Sequence, residues 1–246
     1  MTNFSSALWV EVLKLRRSKV PLFTALGFCM APLAGGLFMI ILTDPLKAQS
    51  MGLISTKAQL AAGTAEWATL FNMLAQATAV GGGIIFAVFT AWVFGREFSD
   101  HTAKELLALP TPREAIIGAK FVVVAIWTLF LTLLCYVLGL IIGQLVDIPG
   151  WSSELFRSAT VDILGAGILT IILLPFVAFF ASAGKGYLPS FGWMILSVVM
   201  AQIAAITGWG DWFPWSVPAI FSGAVGPRAE FMGLHSYVII TLASLI

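Results

Sequence analysis

The chain has 246 residues, 59% of them hydrophobic and only 10% charged, with a mean hydropathy of +0.98. A soluble domain carries about 25% charged residues, so a water-soluble globular protein is excluded and an integral membrane protein follows. The formal net charge of +1 gives no electrostatic ground for a nucleic acid or a strongly acidic substrate.

The opening residues, TNFSSALWVEVLKLRRSK, place Phe4, Leu8, Val12 and Leu15 on one helical face. Basic residues follow where they can meet anionic headgroups, which predicts an interfacial helix over residues 1–19 rather than a disordered tail. Glu11 interrupts the apolar face and Leu13 lies opposite it. The apolar run after KLRRSK is about 23 residues, whereas the apolar core of a signal peptide is roughly 7 to 15. A retained span is predicted.

Six segments read as bilayer crossings: 20–42, 70–94, 116–145, 159–183, 188–207 and 233–246. The last is about 14 residues, or roughly 21 Å of helix against a hydrocarbon core of about 30 Å. The expectation is that the natural chain continues past Ile246. With the N-terminus inside, Lys14, Arg16, Arg17, Lys19, Arg96, Lys104, Arg113, Lys120 and Lys185 fall on the cytoplasmic face. Only Lys47, Lys57, Arg157 and Arg228 fall outside, so the N-terminus is predicted to be cytoplasmic. Cys29 and Cys135 lie in apolar runs and read as small packing residues. Gly139 and Gly143 have the spacing that lets helices approach closely, either within one subunit or along a dimer seam.

Between the second and third spans lies the one long charged stretch, EFSDHTAKELLALPTPREAIIGAK, residues 97–120. It reads as a short amphipathic helix capped by Ser99 or Asp100. Ala103, Leu106, Leu107 and Pro110 form one side of it; His101, Lys104, Glu105 and Ala108 form the other. A second start follows, with Thr111 as N-cap, Pro112 in the first helical position and Glu114 completing a capping box. From Pro112 the helical pattern runs to Leu145, about 34 residues or roughly 50 Å, so the third span should project beyond the bilayer. The small helix then suits a mechanical contact with a docked protein; the alternative is a solvated loop on the headgroups.

The stretch GREFSDHTAKELLALPTPREAIIGAK resembles the first cytoplasmic loop of ABC-2 type transporter permeases, through Glu97, Thr102, Leu106, Leu107, Pro110, Arg113 and Lys120. WFPWSVPA, from Trp212 to Ala219, is similar to the corresponding stretch of the bacitracin and lantibiotic-immunity branch. The resemblance implies an all-α membrane domain over residues 1–246: an interfacial helix, six spans, a cytoplasmic coupling helix between spans two and three, and a broken re-entrant outer segment between spans five and six. It implies two membrane subunits, a second copy or a homologue, above two ABC-type ATPase subunits. Docking would fall to Glu97, Phe98, His101, Thr102, Leu106, Leu107 and Arg113. The bilayer would be that of a bacterial plasma membrane. Substrates of the branch are hydrophobic or amphipathic, such as peptide antibiotics, drugs and lipids, and they are exported.

The residues support that division of labour. There is no G-x-x-x-x-G-K-[ST] phosphate loop; AGKG around Lys185 has Phe179 where the first glycine belongs, and Lys185 reads as a positive-inside anchor. ATP and Mg are expected on the partner subunit, with no cofactor or metal in this chain, which is read as a transport subunit and not an enzyme. Asp162 in the fourth span is either a substrate-path residue or a headgroup-level helix start. Trp212, Pro214, Trp215 and Pro218 read as a re-entrant outer segment or as an interfacial aromatic belt. Two other classes are weighed: an ion- or proton-coupled carrier, and an intramembrane serine protease built on Ser222 and His235. Deep charges are nearly absent from the spans, which disfavours the first. Ile220 replaces the glycine that a G-x-S-G turn needs, which disfavours the second.

Overall fold

A computed structural model describes residues 3–44, 52, 64–107, 110–224 and 232–244. The described residues form helices and turns, with no strand among them. Helix α1, Asn3–Arg17, lies against the helix that starts at Arg113; Leu8, Val12 and Leu15 press on the core, as the periodicity predicts. Glu11, the residue that broke the pattern, is the one fully buried side chain of α1. Helix α2, Val20–Thr43, starts on Pro21, and its Leu22, Phe23, Leu26, Met30, Leu33 and Leu37 are exposed towards the place lipid would occupy.

Helix α3, Trp67–Ser99, is longer at both ends than the predicted span. Its middle holds one wide turn with π-type bonding, Ala77–Gly81, before a pair of glycines. Helix α4 is the short Ala103–Leu107, and α5 is Arg113–Leu145. At 33 residues α5 is about 50 Å long, the length the sequence predicts. Helix α5 lies close against α3 because Gly139 and Gly143 receive Leu74, Trp67 and Leu70 of the same chain. The small-residue stripe therefore packs inside the subunit.

Helix α6, Ser153–Ala183, opens on Ser152, whose hydroxyl accepts the amide of Leu155. It is broken at Leu173, because Pro175 has no amide to continue the ladder. Helix α7, Leu188–Ile206, is followed by 3-10 turns at Gly210–Trp212 and Pro214–Ser216, the short α8, Val217–Phe221, and α9, Leu234–Ser244.

Among the described residues five helices (α2, α3, α5, α6 and α7) are long and apolar enough to cross a membrane. The sixth predicted span appears among the described residues only as the 11 residues of α9. A main core joins α2, α3, α5 and α6, and a smaller one gathers Ala166, Leu169, Val217 and Ile240 where α6, α8 and α9 meet.

Two predicted helix starts are corrected. Ser99 is the last residue of α3 and Asp100 its C-cap, so they stop one helix instead of starting the next. Thr111 and Glu114 form no capping box; Pro112 is the N-cap of α5 with no side-chain cap, its carbonyl accepting the amides of Ala115 and Ile116. The extended ψ of 136° at Pro112 turns the chain there without help from Thr111.

Candidate functional site

Four charged residues, Glu11, Lys14, Glu97 and Lys120, converge at one end of the bundle, where α1 and α3 end and α5 begins. Glu97 stands in the last turn of α3 and is only 5% exposed. Its Oε1 accepts from Lys120 Nζ of α5 at 2.6 Å and from Lys14 Nζ of α1 at 2.9 Å. Lys14 also donates to Glu11 at 2.6 Å, and Lys120 lies 3.7 Å from the same Glu11 oxygen. Lys120 donates further to the carbonyl of Val93 at 2.6 Å. Two carboxylates and two ammonium groups thus balance in a nearly dry cluster. Burial alone would push the Lys14 ammonium down, but the hydrogen bonds and charges of Glu11 and Glu97 outweigh it and hold its pKa above the ordinary lysine value.

This cluster explains Glu11, which looked out of register: it is a buried partner for two lysines. It also gives Glu97 a different setting from the exposed edge expected of a docking acid. Its carboxylate is already held by lysines of its own chain, so it fixes α1, α3 and α5 to one another. Lys120 follows two fully or partly covered small residues, Gly118 and Ala119. A lysine seated that deep in an apolar helix was the available sign that it needed an internal acid.

Beyond Glu97, α3 stops in a Schellman arrangement: Thr102 N–H donates to Glu97 O at 2.9 Å and His101 N–H to Phe98 O at 3.3 Å. His101 takes the left-handed position, with φ of 60°, where glycine is usual. The strained turn throws His101 and Thr102 outward, exposed, with Phe98 half-buried beneath. Lys104 and Glu105 of α4 are exposed, as is Arg113 at the head of α5. Leu106 and Leu107 have helical backbones, but their side chains lie outside the described residues, together with Ala108 and Leu109. Lys120 of α5 is bonded to Glu97 at the end of α3, so the helices on either side of α4 are clamped together.

The aromatic segment after α7 turns inward. Trp215 packs edge-on against Trp193 at 5.2 Å and Phe176 at 4.9 Å. Trp193 is 13 residues before the end of α7, about 20 Å of helix rise, so Trp215 reaches far along that helix. Pro214 opens the second 3-10 turn, and Pro218 is buried in α8. Ser216 ties the segment together by donating to the carbonyls of Gly210 and Phe213. Trp212 stays exposed and stacks on His235 at 4.7 Å.

His235 Nε2 pairs with Asp211 at 2.9 Å, whereas the Ser222 hydroxyl donates to the carbonyl of Ala219 at 2.9 Å. Among the described residues no hydrogen bond joins Ser222 to His235, so the protease reading gains no support from geometry. Asp162 is half-buried in the third turn of α6, deeper than a helix start because α6 begins at Ser153.

Among the described residues, a helical bundle with five helices long and apolar enough to cross a membrane defines a multi-pass membrane protein. The chain belongs to the ABC-2 family: the family described as ABC-2 family transporter protein matches residues 7–203. It is also 28% identical over 167 residues to the bacitracin transport permease protein BCRB of Bacillus licheniformis, covering 66% of this chain and 80% of that protein. No solved structure matches it. Within the family the chain stands in the bacitracin-like branch of permeases.

Proposed function

We propose that this chain is the membrane-spanning half of an ATP-driven exporter, with ATP and Mg handled by a separate ABC-type ATPase. The observation that carries the reading is the hairpin from α3 through α4 to α5. Its tip presents exposed polar groups, and its legs are joined by the buried Glu97–Lys120 pair. A partner that pushes on such a tip moves α3 and α5 as one body, because α5 continues as a single 33-residue helix. Residues 98–113 are the docking surface, with Glu97 holding it in place from within.

In this reading the basic end is cytoplasmic, the N-terminus lies inside, and α9 belongs to a sixth span. The segment from Gly210 to Phe221 is re-entrant. Two copies complete the pathway and two ATPase subunits dock beneath, in a bacterial plasma membrane. The relative's bacitracin transport points to an amphipathic peptide antibiotic or a similar hydrophobic molecule as cargo, and Asp162 is a candidate for its path. A proton- or ion-coupled carrier is less well supported. Among the described residues the fully buried charged side chains are Glu11, Glu97 and Lys120, all at the basic end and none at mid-depth.

The test is purification of the full chain in mild detergent, with an ABC-class ATPase expected to accompany it in a one-to-one ratio. Replacing Leu106 and Leu107 together by serine should remove that ATPase without lowering membrane insertion. Retention of the ATPase by this variant would refute the docking assignment. Orientation is read separately, by impermeant thiol labelling of intact cells: a cysteine at Ser152 should react and one at Ser99 should not.

A further inference from the structure

Beside the ion cluster, a recess of ≈ 440 Å³ opens between α1, the end of α3 and the start of α7. Arg17, Ser18, Arg96, Asp100 and Tyr187 line it, with Trp92 at its back. Tyr187 can come this close because Gly95 has no side chain: a Cβ there would stand 3.0 Å from the tyrosine ring. Arg96 lies over the Trp92 ring at 5.0 Å, yet its Nη1 is buried without a hydrogen-bond partner. A buried unpaired donor is destabilising, and each such group needs a physical reason.

The charge at this recess is unbalanced. Lys14 reaches its edge but is engaged by Glu11 and Glu97. Among the described residues no carboxylate lies within salt-bridge distance of Arg17 or Arg96. Asp100 is the one acid lining the recess, so two free arginines face a single carboxylate. The Tyr187 hydroxyl has no protein partner among the described residues. The Ser18 hydroxyl accepts from Val20 N–H at 3.1 Å, which leaves its own proton to donate. Donors outnumber acceptors, and the planar arginine fork matches phosphate oxygens.

The remaining wall is apolar. Val10 and Leu13 of α1 line the recess, and Leu13 is the residue that lay on the wrong side of the amphipathic face. Leu22 and Phe23 near the start of α2 and Leu188, which follows Tyr187 at the start of α7, are exposed apolar residues. A phosphate with hydrocarbon attached satisfies both parts; a free anion satisfies only the first.

We propose that this recess is a binding site for the phosphate of an anionic lipid headgroup from the leaflet at the basic end, held by Arg96 and Arg17 with Tyr187 and Ser18 donating. The bound lipid bridges α1 and α3 to α7, the least covered of the five long helices. Basic pockets between membrane helices are an established setting for such headgroups.

The test is native mass spectrometry of the full chain in detergent, offered dioleoylphosphatidylglycerol or dioleoylphosphatidylcholine. Phosphatidylglycerol should stay bound at collision energies that strip phosphatidylcholine. Arg17→Gln with Arg96→Gln should lower its apparent affinity about ten- to thirtyfold, whereas Lys185→Gln, exposed at the same end but outside the recess, should leave it unchanged. Arg17→Gln alone, at an exposed helix end, should give a several-fold loss, and it keeps the test decisive where the Arg96 variant misfolds. Equal retention of the two lipids, an equal loss with Lys185→Gln, or no loss in the arginine variants would overturn the site. Displacement of phosphatidylglycerol by millimolar inorganic phosphate would overturn the lipid source in favour of a soluble phosphate. None of these readouts involves the ATPase or transport.

Discussion

Replacing Lys120 by methionine isolates the clamp on which the coupling hairpin rests. The side chain is 5% exposed and makes two bonds of 2.6 Å, to Glu97 and to the Val93 carbonyl. Methionine fills a similar volume without the charge, so the loss is electrostatic and not a cavity. Glu97 and Glu11 are then left to share Lys14, whose side chain is 21% exposed. Breaking a buried pair by removing one partner costs about 3–5 kcal/mol. Because Lys14 still neutralises half the acid, the low end is expected, about 3 kcal/mol. For a chain of this size that corresponds to a fall of about 6–12 °C in melting temperature, measured in detergent by intrinsic tryptophan fluorescence. Adding Glu97→Gln returns the cluster to one carboxylate and one ammonium and should recover most of the loss. The double variant should still show weakened coupling of a copurified ATPase, since the hairpin legs are no longer tied. If Lys120→Met melts within 2 °C of wild type by the same scale, or the double variant is no better than the single, the cluster is not what holds these three helices.

His101→Gly should raise the melting temperature by a few degrees, because a left-handed residue other than glycine costs about 1–2 kcal/mol. The same change should weaken ATPase association, and a fall in melting temperature would contradict the Schellman geometry. Gly143→Ala drives a methyl into the edge of the Trp67 ring and should cost about 1–3 kcal/mol. Gly83→Ala, where a Cβ meets nothing within 4 Å, should be close to neutral; equal effects would refute the close approach of α3 and α5. The pKa of Lys14 is raised in the folded protein. Its contribution is therefore complete below the ordinary lysine value, about 10.4, and is lost as pH climbs through the higher folded value. The stability gap between wild type and Lys14→Met, followed by thermal melts from neutral pH upward, should hold steady to about pH 10 and then narrow. A gap that narrows on acidification instead would reverse the assignment.

Composition, apolar run length and helical periodicity were enough to establish a multi-span helical membrane protein, an amphipathic first helix with Leu8, Val12 and Leu15 on its packed face, and an apolar helix of 33 residues from Arg113 to Leu145. These are local or additive properties: each apolar residue contributes to membrane partition independently of its neighbours, and a helix shows its faces through spacing alone. The hairpin motif and WFPWSVPA carried the family for the same reason, being short contiguous strings. What remained hidden depends on residues far apart in the chain. Glu11, Lys14, Glu97 and Lys120 span more than a hundred positions, and only packing of α1, α3 and α5 puts them within bonding distance. Glu97 therefore read as a free acid when it is a buried one, and Glu11 as a flaw when it is a partner. The cap positions shifted by one or two residues because Asp100 and Pro112 settle them through backbone geometry, which a capping-box pattern does not encode. Trp215 beside Trp193, and Tyr187 beside Arg96 across Gly95, are likewise products of the fold. Electrostatic and packing energies depend on three-dimensional distance, and sequence separation carries almost no information about that until the helices are assembled.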